Sequence, residues 1–326
     1  MRSTLRVFLP VLMLVGLSRA QDDAAATPAT PAPVEVWVIG ASLSNGFVDP
    51  KPRPDGERNS TVSLARALRD VWSDGRVRLV DKSDPLTFFD PVDRQKTKLG
   101  DAGDAAKPAL VLGIDYPFWF GYGRVDGDEL TSRLALQREG LALLDGIDAP
   151  IVLGDYPDMT GADPRMLSAA QIPSPEARKR LNEELAKWAA ARDNVTVFPL
   201  ANHVAAIKAG GWTERYGHRD VPMAVDDLLQ GDRLHPTRLG MAIVAARLTD
   251  HLREVLGEDH ALRPEPRGFE AFVVDCGADV AMDWLLEDLE AEEDAGKSGS
   301  GDSSGKRDKG KSGDRAPAPT PVTAAG

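Results

Sequence analysis

Five short apolar runs, each followed by a longer stretch with helical spacing, constrain this chain more than any other feature. The runs are Val34 to Gly40, Val77 to Asp81, Ala109 to Ile114, Pro150 to Gly154 and Val195 to Leu200. They are too short for an ordinary helix and are expected to be strands. Among the intervening stretches, Thr61 to Trp72 carries Val62, Leu64, Leu68 and Val71, and Asp128 to Leu144 carries Leu130, Leu134, Leu141 and Leu144. Ser174 to Ala191 opens on Ser-Pro-Glu, a good cap followed by a first-turn proline. A last helix is expected over Pro236 to Leu256, with Leu239, Ile243, Val244, Leu248, Leu252 and Val255 on one side. Strand and helix in alternation predict a parallel sheet covered on both faces. Ligands of such sheets gather at the carboxyl ends of the strands, where Ser42 and Asp115 fall.

The ends of the chain have a different character. Arg2 and Arg6 precede an apolar run from Val7 to Leu17 and then Ser18-Arg19-Ala20, so residues 1–20 are expected to be a cleaved secretory signal, placing the protein in the periplasm or outside the cell. That run is short for a bilayer and no later one is longer, so no transmembrane segment is expected. Residues 21–33 form a flexible leader and 291–326 a disordered low-complexity tail, leaving a main domain over 34–256 and an appendage over 257–290. Within the appendage, Phe269 to Val274 is expected as a strand and Val280 to Leu289 as a short helix. Cys276 is the single cysteine, so no internal disulfide exists, and a small buried apolar role is expected for it. Net charge is -12, and loss of Arg2, Arg6 and Arg19 with the signal takes it to -15. Such a surface repels phosphate backbones and anionic lipids, which argues against a nucleic-acid partner.

Ser42 follows Gly40 by two residues, in a turn at the mouth of the first strand. A serine hydroxyl needs a base to take its proton, and the base needs an acceptor on its other nitrogen. Asp232-x-x-His235, just ahead of the last helical pattern, can supply both within one turn. Taken singly, Ser42 could be a turn residue and Asp232 a helix cap. Taken together, they point to Ser42 as nucleophile, His235 as base and Asp232 as the group that orients it. Asp115, Asp155, Asp226, Asp227, Asp232 and His235 could instead hold a divalent metal for phosphoester hydrolysis. There is no His-x-His, however, and the one Asp-x-Asp, Asp126 and Asp128, sits where a helix starts, so neither a metal nor another cofactor is expected. Nucleotide chemistry has no phosphate loop to support it.

At these residues the chain resembles the SGNH, or GDSL, hydrolase superfamily, over roughly Val34 to Leu256. Gly40-Ala41-Ser42-Leu43-Ser44 is similar to its first block, with alanine where aspartate is common, and Asp232-Arg233-Leu234-His235-Pro236 is similar to its last. The resemblance implies a flavodoxin-like three-layer α/β/α sandwich with a five-stranded parallel sheet. It implies the same Ser-His-Asp triad acting on a small-molecule, lipid or glycan ester. The middle blocks depart from the pattern. Where the family has Gly-x-Asn-Asp, whose asparagine donates to the oxyanion, this chain has Gly113-Ile114-Asp115-Tyr116, and an ionised Asp115 can only accept. The second-block glycine is replaced by Asp81-Lys82-Ser83-Asp84-Pro85. Oxyanion or substrate contacts are therefore left to a protonated Asp115, to Tyr116 beside it, to Asn45, or to the backbone N–H of Ser42 and Leu43. The alternative is a degenerate relative that binds an acyl or glycan ligand without turnover. Two segments stay open: the aromatics Phe118 to Gly123 with Phe88-Phe89 either line an acyl pocket or pack a covering loop, and Asp155 to Pro173 is either a lid or a plain surface loop.

Overall fold

All five expected strands form, each within two residues of its expected ends: β1 (Val34–Val38), β2 (Val77–Asp81), β3 (Leu110–Gly113), β4 (Ile151–Gly154) and β5 (Val195–Phe198). They are seen in a computed structural model that describes residues 32–52, 58–60, 62–100 and 107–299. The expected signal (1–20) and all of the leader but its last two residues lie outside the described residues. The strands make one parallel sheet in the order β2-β1-β3-β4-β5. Val36 lies opposite both Leu79 and Leu110, and Ile151 opposite both Val111 and Val195. Because strand order reverses between β1 and β3, the crevice of the sheet opens at their carboxyl ends.

The helices among the described residues are α1 (Ser42–Asn45), α2 (Leu64–Ala67), α3 (Pro91–Leu99), α4 (Phe118–Gly121), α5 (Glu129–Ala142), α6 (Pro175–Ala190), α7 (Leu200–Gly210), α8 (Val225–Leu228), α9 (Arg238–Val255), α10 (Phe269–Cys276) and α11 (Asp279–Gly299). Side chains alternate along each strand, and this sorts the core into two layers. Val36, Val38, Leu110, Leu112 and Val152 pack with α2, α7, α9 and α10, whereas Trp37, Ile39, Val111, Ile151 and Leu153 pack with α4, α5 and α6. The result is the expected three-layer α/β/α sandwich.

Several local expectations need correction. Phe269 to Val274 is helix α10, not a strand: Phe269, Phe272, Val273 and Cys276 recur at helical spacing, bury one face in the same core as α9, and stop at Gly277 with φ 63°. The segment 257–290 thus shares the core of the main domain rather than hanging from it. Helix α11 runs to Gly299, beyond the expected Leu289 and into the segment expected to be disordered; 300–326 lie outside the described residues. Cys276 is buried and free, as expected. The helix expected over Thr61 to Trp72 is a single α-turn followed by a 3-10 turn, because Leu68 breaks it at φ -99° and ψ 0°. Helix α9 begins at Arg238, with the Thr237 side chain accepting from Gly240 N at 3.1 Å, so Pro236 belongs to the preceding turn. Helices α3 and α7 and the hairpin β6 (Trp212–Tyr216) with β7 (Arg219–Met223) are additions to the expected elements.

Between α7 and α9, His203 packs on Phe198 and Trp212. Burial, with Arg247 and His251 nearby, lowers its pKa from 6.5 to about 4. Between those two values the unfolded chain binds a proton that the folded chain does not, so stability falls as pH falls from 6.5 to about 4. His203→Gln is expected to flatten that fall, as measured by urea melts at pH 7 and pH 5.

Candidate active site

Strand β1 delivers Ser42 to the carboxyl edge of the sheet through a turn that only glycine can make. Gly40 has φ +141°, and a Cβ there would lie 2.0 Å from Asp115 Oδ1. From the far end of the chain, Asp232 to His235 forms a second tight turn. Arg233 adopts φ 56°, a left-handed conformation that costs on the order of 1–2 kcal/mol for a residue with a Cβ. The turn is closed by Arg233 N donating to Gln230 O at 2.9 Å and Gln230 N donating to His235 O at 2.8 Å. Asp232 Oδ1 accepts from both Leu234 N and His235 N at 2.9 Å, which frees Oδ2 for the imidazole.

The two turns meet. Asp232 Oδ2 lies 2.7 Å from His235 Nδ1, and His235 Nε2 lies 2.8 Å from Ser42 Oγ. With Nδ1–H donated to the carboxylate, Nε2 is the acceptor for the Ser42 hydroxyl. Asp232 and His235 are buried and Ser42 is half-buried. Burial pushes the Asp232 carboxyl up, but the hydrogen bond from the imidazole and those from the His235 and Leu234 N–H groups outweigh it and hold its pKa below the ordinary carboxylate value. The reading of Asp232 as a helix cap does not hold, because Thr237 caps α9. Phe47, absent from the sequence-derived candidates, stacks flat on the imidazole with centroids 3.7 Å apart and planes at 11°. Its backbone O and that of Pro236 both accept from Gln230 Nε2, at 3.3 and 2.8 Å.

Asp115 sits beside Ser42 but faces the turn at Leu43 and Ser44. Its Oδ2 accepts from Leu43 N at 2.9 Å and Ser44 N at 3.2 Å, and its Oδ1 lies 2.5 Å from Ser44 Oγ. Burial raises its pKa against these hydrogen bonds. The Leu43 N–H is thus committed and is not free for an oxyanion. Tyr116 is corrected as well: it is buried in the opposite layer, with its hydroxyl donating to Gly140 O at 2.7 Å. Asn45 donates its side-chain amide to Ser83 Oγ at 3.2 Å and does not line the pocket at Ser42. In the second block, Ser83 N donates to Asp81 Oδ1 and Asp84 N to Gly40 O, both at 2.9 Å.

Ser42 and His235 open into a cavity of about 60 Å³ whose remaining lining is apolar apart from Asp115. Leu200, Val204 and Ile207 of α7 line it together with Leu228 and Val244. Pro157 and Met159 line it too, and Asp163 N donates to Asp232 O at 2.8 Å, so the segment 155–173 covers the site rather than wandering over the surface. The aromatics after β3 divide: Phe118 lines the cavity, while Trp119, Phe120 and Tyr122 are buried in the core. The α7 wall escapes sequence inspection because Leu200 ends an apolar strand run with only Pro199 as punctuation. Among the described residues no three His, Cys, Asp or Glu side chains converge to hold a metal ion, and no helix is long and apolar enough to cross a membrane.

No family profile and no curated protein sequence matches the chain. Among solved structures it is similar to a "putative acylhydrolase" from Bacteroides fragilis NCTC 9343, with TM-score 0.40 and 13% identity over 70% of this chain and 92% of the other. It is also similar to a "GDSL-like lipase" from Bacteroides thetaiotaomicron VPI-5482, with TM-score 0.38 and 14% identity over 70% of this chain and 94% of the other. What the site can do chemically follows from its own distances.

Proposed function

We propose that the protein is an extracytoplasmic serine hydrolase of the SGNH type that cleaves carboxylic esters. The observation that carries this is the unbroken relay from Asp232 through His235 to Ser42, with steps of 2.7 and 2.8 Å, opening into an apolar cavity. Ser42 Oγ attacks the ester carbonyl carbon as its proton passes to His235 Nε2. The resulting imidazolium is stabilised by Asp232 and then gives the proton to the departing alkoxide oxygen. A water molecule, deprotonated by the same nitrogen, attacks the acyl group on Ser42 and releases the acid, restoring the hydroxyl. No step calls for a cofactor. The wild-type chain is expected to hydrolyse a p-nitrophenyl ester, and Ser42→Ala is expected not to; equal rates would refute the proposal.

Phe47 is assigned a positioning role, because a ring stacked on the imidazole fixes the plane in which Nε2 meets Ser42. Phe47→Ala is expected to lower kcat about tenfold while Phe47→Tyr restores it, and a change in KM alone would contradict the assignment.

One observation favours a second reading, a protein that binds an acyl ligand without turnover: the N–H groups of Leu43, Ser44, Ser83 and Asp84 are all engaged by protein acceptors. Ligand binding by a folded protein that shows no ester hydrolysis would select it.

A further inference from the structure

The cavity that Ser42 and His235 open into is walled in part by the core itself. Leu200, Ile207, Leu228 and Val244 are buried members of the layer that packs with α9. Val204, half-buried, completes a stripe with Leu200 and Ile207 at helical spacing along α7.

The segment that covers the site is tied down on both sides of Met159, another lining residue. Lys208 Nζ, on α7, donates to Asp158 O at 2.8 Å and to Thr160 O at 2.6 Å, and Arg178 pairs with Asp158 at 2.9 Å. Met159 N donates to Tyr122 Oη at 3.3 Å. The wall that Met159 forms is therefore braced against α7.

Size and chemistry both restrict what can enter. The cavity measures about 60 Å³, and a water molecule needs about 10–15 Å³ of such space, so there is room for roughly five non-hydrogen atoms. A butanoyl group fills that space and an octanoyl group overruns it by about four carbons. The polar side chains of the lining are already engaged: Ser42 with His235, and Asp115 with Leu43 N, Ser44 N and Ser44 Oγ. A sugar hydroxyl placed there would lose its water without gaining a partner. The alcohol half of an ester must leave while the acyl half is still bonded to Ser42, so a pocket set into the core suits the acyl half.

We propose that the protein cleaves esters of short, unbranched aliphatic acids, from acetyl to butanoyl, with the acyl chain in this cavity and its walls, Val204 among them, limiting the chain length. This rests on the ester-hydrolase function above and names the substrate class of the same site.

The test is kcat/KM for the p-nitrophenyl esters of acetic, butanoic and octanoic acid, on wild type, Val204→Ala, Val204→Phe and Phe89→Ser. Wild type is expected to favour butanoate over acetate, by up to about fourfold for each methylene buried, and to turn over octanoate at least about tenfold less well than butanoate. Val204 is the half-buried member of the α7 stripe, so changing it disturbs the fold less than changing Ile207 would, and circular dichroism verifies folding. Val204→Ala is expected to raise the octanoate-to-butanoate ratio about tenfold, and Val204→Phe to lower the butanoate-to-acetate ratio by about as much. A general loss of stability would not move the two ratios in opposite directions. Phe89 is 70% exposed and outside the lining, so Phe89→Ser is expected to keep the wild-type profile. Octanoate cleaved as well as butanoate, or ratios that neither Val204 variant moves, would overturn the pocket assignment and leave the hydrolase standing. A folded wild type that cleaves none of the three esters would overturn the hydrolase and this proposal together.

Discussion

His235→Ala is expected to lower kcat/KM for a soluble p-nitrophenyl ester by at least about a thousandfold, and Ser42→Ala by at least as much. At 2.8 Å from His235 Nε2 the serine hydroxyl has one base within reach, and without it the oxygen must attack as a neutral alcohol. The two residues act as a unit, so the double variant is expected to be no slower than the slower single one. Asp232→Asn tests the third member. Its amide oxygen can still accept from Leu234 N and His235 N, but the amide nitrogen then faces His235 Nδ1 and forces the proton onto Nε2, the nitrogen that must be free to accept. A loss of about ten-thousandfold with an unchanged melting temperature is expected. A loss of activity that merely tracks a loss of stability would mean that Asp232 serves only the strained turn at Arg233.

Asp115 carries the second large effect. The N–H groups of Leu43 and Ser44 end on its Oδ2, at 2.9 and 3.2 Å, so Asp115→Ala leaves a half-buried and a buried donor without an acceptor. Each such donor costs about 1–3 kcal/mol, and the variant is expected to lose several kcal/mol of stability and about a hundredfold in kcat as Ser42 loses its fixed position. Asp115→Asn is expected to behave quite differently. The amide oxygen keeps both N–H bonds and the amide nitrogen donates to Ser44 Oγ, so activity is expected to stay within about threefold of wild type. A marked gain would show instead that the asparagine has turned to the oxyanion. The pH dependence separates the two side chains further. Burial raises the Asp115 pKa, so between the ordinary carboxylate value and the raised one the folded state binds a proton that the unfolded state has lost. Stability contributed by this group therefore falls as pH rises through that window, and Asp115→Asn is expected to remove the fall in urea melts run from pH 4 upward.

How far the sequence reaches depends on how local the signal is. The five strands were legible because each apolar run is bounded by turn residues, and the α9 face because its leucines and isoleucine keep one period over the whole helix. That Ser42 meets Asp232 and His235 was legible because the serine follows a strand and the carboxylate lies within one turn of the imidazole. Phe47 was not, since only the fold brings it over a ring far along the chain. Asp115 was visible as a departure from the pattern the chain resembles, but its contacts were not: its partners, Leu43 N and Ser44, lie 72 and 71 positions away. Helix α10 differs from the expected strand because the strand-like composition of Phe269 to Val274 masks a helical spacing that only Cys276 completes. Gly40 shows the same dependence on a distant partner: its turn could be guessed, but not the carboxylate oxygen that occupies the space of its missing side chain.

The most direct test of the central claim is the intact mass of the folded protein after exposure to a fluorophosphonate, followed by peptide mapping. A serine activated by His235 is expected to take one adduct, on Ser42, and His235→Ala is expected to take none. A folded wild-type chain that stays unmodified, or an adduct that persists in Ser42→Ala, would contradict the account.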